Sequence, residues 1–374
     1  MKDFTLRNDT RLLLRNEPVA DIAELTKGKR VLFVYGGGSV KKNGCYDDIA
    51  KAVQQGGATL YELGGASREL EDIERGIAVA KEHDIELIIG AGGASIMDCA
   101  KLIAFGVFHE ADLWDYVKRR KNPYGERRLP LLLMPTYPSS GSEYGLGAVM
   151  ADSRTGDFGT AYVIAADTAL LVPRYALTLN EELTAYTGLV TLVQVCSATL
   201  GNRNPLSYNI GITVIHQVLD AARRLKETPQ DLDARGVIAY AASISTSSRL
   251  GLGKGEKGDF AYDIYEVEFV PEVLFGVPYR KALTTVYPRF LAAMTKYHED
   301  EIRRFVGDAF GLDVSTMESA LVRMFSELGV DMYFEGDATL EDICRIDIDS
   351  LLSGKEILEI VRKCITNNKW QEQR

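Results

Sequence analysis

Two textures of apolar and polar positions divide the chain near residue 178. Up to that point short apolar runs alternate with stretches in which apolar residues recur every three or four positions among charges. The run 30–35 (RVLFVY) is apolar after Arg30 and rich in β-branched and aromatic residues, and 58–63, 86–90 (ELIIG) and 130–134 (PLLLM) are short runs of the same kind. Each is short and bounded, as a buried strand is. Between them, 46–53, 69–83 and 96–105 carry helical periodicity; in the second, Leu70, Ile73, Ile77 and Val79 stand among charged residues. Strands apolar along their whole length, separated by amphipathic helices, predict a parallel sheet covered on both faces. Extended runs follow at 147–151, 162–165 and 169–172, and the turn Asp152-Ser153-Arg154-Thr155-Gly156-Asp157 predicts a hairpin between the first two.

After Pro173 the pattern becomes helical only. Thr178-x-x-Glu181 predicts a capping box ahead of a helix running to 200. The stretches 210–225, 237–250, 281–297, 300–307, 315–328 and 355–367 also read as helices. The predicted organisation is an α/β, Rossmann-like dinucleotide-binding domain over 1–178, followed by an all-helical domain over 179–374.

Composition narrows the partners. The 374 residues suit two domains, and a formal net charge of -10 argues against the basic surface that nucleic acid or an anionic membrane requires. No apolar stretch approaches the about 18 residues of a membrane span. Residues 1–5 have neither an apolar core nor a small-residue cleavage site, which predicts no secretion signal. The five cysteines lie far apart without a C-x-x-C pair, the usage of reduced thiols in a cytoplasmic protein.

The candidate chemistry starts with glycine. Gly36-Gly37-Gly38-Ser39 follows the first predicted strand directly, and Gly90-Ala91-Gly92-Gly93-Ala94-Ser95 follows the third and opens a helix at Ile96-Met97-Asp98. A strand, a glycine turn and a helix start present free backbone N–H groups and the positive end of a helix dipole to a phosphate. Two such turns at carboxyl ends of parallel strands lie where open α/β sheets bind ligands. A third cluster, Thr136-Tyr137-Pro138-Ser139-Ser140-Gly141-Ser142-Glu143, is small and hydroxyl-rich and belongs to the same edge.

Together the three clusters resemble the iron-containing alcohol dehydrogenase family. Its G-G-G-S-x-x-D-x-x-K signature stands here as Gly92-Gly93-Ala94-Ser95-Ile96-Met97-Asp98-Cys99-Ala100-Lys101, with one Gly replaced by Ala. Its T-x-x-x-G-S-E signature is resembled by Thr136 and Gly141-Ser142-Glu143, with four residues between Thr136 and Gly141 instead of three, and the stretch from Tyr35 to Gly44 is similar to the butanol dehydrogenase and broad-range aldehyde reductase branch. The resemblance implies the fold shared with dehydroquinate synthase: an α/β domain holding NAD(P), a helical domain holding a divalent metal, and an alcohol or aldehyde substrate between them, in a homodimer. It implies that Gly92, Gly93, Ala94 and Ser95 cradle the pyrophosphate. Gly37, Gly38 and Ser39 would face the adenosine ribose, Thr136, Ser140 and Ser142 would line the nucleotide pocket, and Asp98 would lie by the nicotinamide ribose or the active centre. Where NAD-preferring members carry an Asp after the first strand this chain has glycine and serine, with Lys41 and Lys42 beyond, which implies NADP(H), with NAD as the other choice. One cofactor contact departs: Phe158 stands near a Lys of the branch.

The family's metal ligands, one Asp and three His, have no counterparts. Val190 or Thr191 stands at the Asp position, Gln194 or Val195 at the first His, Asp263 near the third ligand and Tyr279 near the fourth. None of the four histidines, His83, His109, His216 and His298, matches a ligand position. The divalent metal is therefore expected to be absent, or replaced by an oxygen site among Asp259, Asp263, Glu266, Glu268 and Glu272. A reductase without the metal needs another electrophile or proton donor. The candidates are Lys254, Lys257, Tyr262, Tyr265, Tyr279 and Arg280, of which Tyr262 and Lys257, with Asp98, form the expected catalytic set. The alternative is a nucleotide-binding relative without dehydrogenase activity.

Overall fold

The computed structural model describes residues 7–118, 120–123, 125–162, 164–245, 250–252, 254 and 260–366. Residues 1–5, Lys257 and Asp259 lie outside the described residues.

The sheet-forming part begins with β1 (Arg11–Leu14), α1 (Val19–Thr26), β2 (Arg30–Tyr35), a single turn α2 (Ser39–Lys42), α3 (Cys45–Gln55) and β3 (Thr59–Leu63). It continues with α4 (Leu70–Glu82), β4 (Leu87–Gly92), α5 (Ala94–His109), the short α6 (Leu113–Val117), β5 (Leu131–Pro135), β6 (Ala148–Asp152), β7 (Asp157–Ala161) and β8 (Thr168–Leu171). Six strands form one parallel sheet in the order β1-β8-β5-β4-β2-β3, and β6 and β7 form a separate antiparallel hairpin. The central strands β4 and β5 are buried at every position, because each face of the sheet has its own helical cover. On one face Leu32, Val34, Ile88, Leu131 and Leu133 meet Ile73 and Ile77 of α4 and Leu102 and Ile103 of α5. On the other, Val31, Phe33, Ile89 and Leu132 meet Ile22 of α1 and Ile49 and Ala52 of α3. Odd and even positions of one strand thus enter different cores, as the two-residue period of a strand requires.

Helices follow: α7 (Glu181–Thr199), α8 (Pro205–Glu227), α9 (Leu232–Ser245), α10 (Ile264–Val267), α11 (Phe269–Phe275), α12 (Tyr279–Phe310), α13 (Met317–Glu327), α14 (Leu340–Cys344) and α15 (Gly354–Lys363). Among the described residues of this part, strand pairing is confined to an isolated bridge between Phe334 and Ile365.

The chain forms two compact units, one of Arg7–Leu179 with Gln230–Ser247, the other including Asn180–Pro229 and Ser248–Arg374. A single division at 178/179 therefore misses one return of the chain. Helix α9 rejoins the sheet unit, where Pro173 Cγ and Leu14 Cδ1 lie 3.6 and 3.8 Å from the Cβ position of Gly236. Helical periodicity says that α9 is a helix, not which core its small apolar residues will enter.

Two local expectations are corrected. The second hairpin strand is 157–161, not 162–165. The Asp152 carboxylate accepts the Arg154 N–H at 3.1 Å and Gly156 takes φ +75°, so the turn closes and pairing resumes at Asp157 opposite Asp152. Asn180, not Thr178, caps α7, its side-chain oxygen accepting the Leu183 N–H at 2.8 Å. The stretches 281–297 and 300–307 are helical as expected, and within α12 they are separated by non-helical backbone at His298 (φ -139°, ψ 42°).

Candidate active site

The turn from β4 into α5 shows what its glycines do. A Cβ on Gly90 would lie 2.6 Å from Ala100 Cβ, and one on Gly92 would lie 2.7 Å from Ile96 Cγ1, so these two let α5 lie directly on the strand it follows. Gly93 differs: its backbone is extended and its Cβ position meets only Tyr137 Cβ, at 4.0 Å. The space before it is open. Helix α5 starts with no side-chain cap and no acidic residue in its first turn. The N–H groups of Ile96 and Met97 bond back to Gly93 O at 3.1 and 3.2 Å, and Ala94 and Ser95 precede them at the helix start. First-turn N–H groups have no partner inside the helix, and with the helix dipole they make an anion site.

The second turn lies one strand away. Cβ positions on Gly37 and Gly38 meet nothing within 4 Å, and Ser39 opens α2. The loop after β3 is clipped to this turn by Gly65 N–H to Gly36 O at 3.0 Å and Ala66 N–H to Tyr35 O at 3.1 Å. Beside it stands a group that sequence reasoning missed. Glu62, on the edge strand β3, accepts from the Tyr35 and Tyr46 hydroxyls, each at 2.7 Å, and Lys41 Nζ lies 5.8 and 5.0 Å from the two ring centres. Burial raises the Glu62 pKa, but hydrogen bonds from Tyr46 and Tyr35 and the charge of Lys41 outweigh it and bring the carboxyl below its ordinary range. Burial and Glu62 push the Tyr35 phenol up to about 12. Its signal was the acidic residue closing the second strand of a βαβ unit, where dinucleotide folds place a ribose ligand.

The third cluster is tied to the first. Thr136 N–H donates to Gly92 O at 2.9 Å. Asp98 and Lys101, three apart on α5 and so on one face, are both buried. Asp98 accepts from Ser142 Oγ at 2.6 Å and from Val149 N–H at 3.2 Å. Lys101 Nζ donates to Ser142 Oγ at 3.2 Å and to the carbonyls of Gly145 and Gly147 at 3.1 and 2.7 Å. Glu143 is fully buried and accepts from Ser243 Oγ of α9 at 2.6 Å. Burial is the largest influence on all three charges, pushing Asp98 and Glu143 up and Lys101 down, and their mutual attraction opposes it. The D-x-x-K and G-S-E signatures are thus one network that fixes the loop bearing Ser140 and Ser142, with Gly141 turning it at φ +68°. Phe158, in the hairpin, is exposed and carries the Arg68 guanidinium 5.2 Å from its ring centre.

In the helical unit the residues expected at the ligand positions do not fit a transition metal, which wants imidazole or thiolate donors. Val190, Thr191 and Val195 are buried in α7. Gln194 Nε2 donates to the Tyr279 hydroxyl at 3.5 Å. Asp263 Oδ2 is engaged by Ser350 Oγ at 3.0 Å and Leu351 N–H at 2.7 Å. Among the described residues no group of three His, Cys, Asp or Glu is placed to hold a metal ion. The histidines have local partners: His83 stacks on Tyr61, His109 on Phe105 and His298 on Phe260, and the His216 ring contacts Asp308 O at 3.1 Å. Of the expected donors, Lys254 Nζ donates to Ser197 O and lies 4.4 Å from the Tyr262 ring centre, and Tyr262 stacks on Tyr265.

Residues 10–178 match the sequence model of the family described as iron-containing alcohol dehydrogenase. A probable NADH-dependent butanol dehydrogenase 2 of Bacillus subtilis strain 168 is 28% identical over 321 residues, covering 84% of this chain and 81% of that protein. The NADPH-dependent aldehyde reductase YqhD of Escherichia coli strain K12 is 28% identical over 301 residues, 77% of this chain and 75% of its own. The crystal structure of NADH-dependent butanol dehydrogenase A from Thermotoga maritima superposes with a TM-score of 0.86 at 22% identity, over 98% of this chain and 99% of that one. The glycine turns, the loop network behind them and these likenesses converge: over residues 10–178 the chain matches the iron-containing alcohol dehydrogenase family, and its fold is that of the Thermotoga maritima structure.

Proposed function

We propose that this chain interconverts an aldehyde and its alcohol by hydride transfer with a nicotinamide dinucleotide, without a transition metal. The observation that carries the reading is the uncapped start of α5 behind an open Gly93, next to a loop that Asp98 and Lys101 hold from beneath. The N–H groups at Gly92, Gly93, Ala94 and Ser95 bind the pyrophosphate, Gly37, Gly38 and Ser39 face the adenosine ribose, and Thr136, Ser140 and Ser142 line the pocket. The nicotinamide, when bound, supplies or accepts the hydride. Asp98 acts as a positioning residue, because its carboxylate oxygens are engaged by Ser142 and Val149 and its surface is 5% exposed.

NADP(H) is the proposed carrier. No acidic residue lies within the Gly36–Ser39 turn, and Lys41 and Lys42 follow it; Glu62 works in the other direction. The metal-free reading is supported by the spent Asp263 and the apolar face of α7. A cytoplasmic homodimer is proposed on the family resemblance and the commonness of two-fold assemblies. No helix among the described residues is long and apolar enough to cross a membrane.

The test is a panel of small aldehydes with NADPH and with NADH, run beside elemental analysis of the purified protein and light scattering. Oxidation of NADPH that survives chelation is the expected result. Stoichiometric iron or zinc, lost together with activity, refutes the metal-free reading. Dinucleotide binding without turnover identifies instead a nucleotide-binding relative lacking dehydrogenase activity, the reading that the lost ligands favour.

A further inference from the structure

The loop between β3 and α4 brings a cation beside the glycine turns. A Cβ at Gly36 would lie 3.1 Å from Ile96 Cδ1, in the first turn of α5, and 3.7 Å from Ala66 O, so the loop and the helix start flank one glycine. Two residues on, the backbone of Arg68 is pinned to the hairpin: Ala151 N–H donates to Arg68 O at 3.0 Å, and Glu69 bridges to Ala151. All of these residues belong to the sheet unit. The place of Arg68 is therefore fixed before any ligand arrives, which lowers the ordering cost of binding.

The Arg68 side chain has a ring for company and no anion. It is half-buried, its guanidinium carbon lies 5.2 Å from the Phe158 ring centre, and among the described residues that guanidinium makes no hydrogen bond or ion pair. The carboxylates of the same region are engaged elsewhere. Glu69 accepts from Ser153 N–H at 2.9 Å, Asp72 from Ser67 Oγ at 2.7 Å and Arg75 at 3.0 Å, and Asp152 from Arg154 at 2.9 Å. An aromatic face attracts a guanidinium but accepts none of its five N–H bonds in the way an oxygen does. A planar fork of that kind matches two oxygens of a phosphate. The charge is felt at α5: burial raises the Asp98 carboxyl, and Arg68 is among the groups that oppose the rise. Asp98 stands one helical turn beyond Ala94.

We infer that Arg68, seated on the Phe158 ring, is the cation that binds the diphosphate bridge of the dinucleotide at the start of α5. The inference rests on the proposed dinucleotide-dependent function. The first turn of α5, Ala94-Ser95-Ile96-Met97, has no basic side chain, and Lys101 is spent on the carbonyls of Gly145 and Gly147. The helix start thus offers neutral N–H donors, and Arg68 adds the full positive charge that a dianionic diphosphate calls for. The diphosphate is common to NADH and NADPH. Arg68 therefore sets the affinity for both and leaves the choice between them to the residues around the Gly36–Ser39 turn.

The test is calorimetric binding of NADPH and of NADH to the full chain and its variants. Arg68→Met is expected to weaken both by about 10- to 100-fold, with the thermal midpoint unchanged because the side chain has no hydrogen bond or ion pair to lose. Arg68→Lys, which keeps the charge without the fork, is expected to recover part of that loss. Phe158→Leu, which removes the ring from an exposed position, is expected to weaken both dinucleotides by about threefold; it carries the test should Arg68→Met fail to fold. A parent that binds dinucleotide while Arg68→Met binds both within about twofold of it overturns the inference alone. So does a loss confined to NADPH, which assigns Arg68 to the 2′-phosphate, and so does an Arg68→Lys variant no better than Arg68→Met. Phe158→Leu binding as the parent does overturns it too. A parent that binds neither NADPH nor NADH overturns both the inference and the proposed function.

Discussion

Replacing Lys101 by Met tests whether the two sequence signatures work as one brace. Lys101 has no exposed surface and makes three hydrogen bonds, at 2.7, 3.1 and 3.2 Å. Methionine nearly keeps the volume and the unbranched stem, so the cavity contribution is small. What disappears is the ammonium. The carbonyls of Gly145 and Gly147 lose that donor, and the buried carboxylates of Asp98 and Glu143 lose the cation that offsets their burial. Removing one partner of a buried ion pair costs about 3–5 kcal/mol, a large share of the roughly 5–15 kcal/mol that stabilises a typical domain. The assay is urea unfolding of the full chain by circular dichroism, with calorimetric NADPH binding beside it. The first transition should fall by that amount and the dinucleotide should bind more weakly, because the loop bearing Ser142 is no longer pinned. The double variant Asp98→Asn/Lys101→Met should lose less than the sum of the singles by more than about 1 kcal/mol, since it removes both charges. A single-variant loss below about 1 kcal/mol, or strict additivity, refutes the brace.

Gly93→Asp should weaken NADPH binding by about 100-fold or more, equivalent to about 2.7 kcal/mol, whereas Gly93→Ala should bind normally because its φ is -83° and the nearest atom to its Cβ is 4.0 Å away; equal affinities by calorimetry would move the phosphate site elsewhere. Gly90→Ala, whose Cβ would lie 2.6 Å from Ala100 Cβ, should instead lower the thermal midpoint. Glu62→Gln should raise affinity for NADPH relative to NADH and Lys41→Ala should lower it, and an unchanged ratio in both would show that this cluster does not read the 2′-position. Glu356 is held at about 2, below its unfolded value of 4.5, by hydrogen bonds from Lys296 and Ser353. Its stabilising contribution is therefore complete above that unfolded value and lost as pH falls from 4.5 toward 2; a Glu356→Gln variant whose acid unfolding curve matches the parent's would contradict this.

The sequence made the sheet readable because its central strands are buried on both sides, so their apolar runs are unbroken. It hid β1, in which Leu13 alone of the four residues is buried, and the hairpin strand β7, whose Asp157-Phe158-Gly159-Thr160 has no apolar core. The glycine turns were legible because strand, glycine and helix start are adjacent in sequence. The brace beneath them was not, because Lys101 and Gly147 are brought together only by folding; a lysine in an apolar helix such as 99–106 was the available sign. That no histidine stands at the ligand positions expected from the resemblance was plain from residue identity. The contact between Gln194 and Tyr279 was not, since 85 residues separate them.

The return of α9 to the sheet unit has a consequence for synthesis. Glu143 has its hydroxyl partner in Ser243, and Pro173 and Leu14 lie against Gly236. During translation every strand of the sheet has been made well before that helix leaves the ribosome, and at about 5–20 residues per second the interval is several seconds. Through it the nascent sheet waits with a bare carboxylate and an uncovered flank. The sheet unit therefore matures only after residues 180–229 of the helical unit have been made, and a gene fragment ending near residue 178 encodes a sheet that lacks one of its own helices.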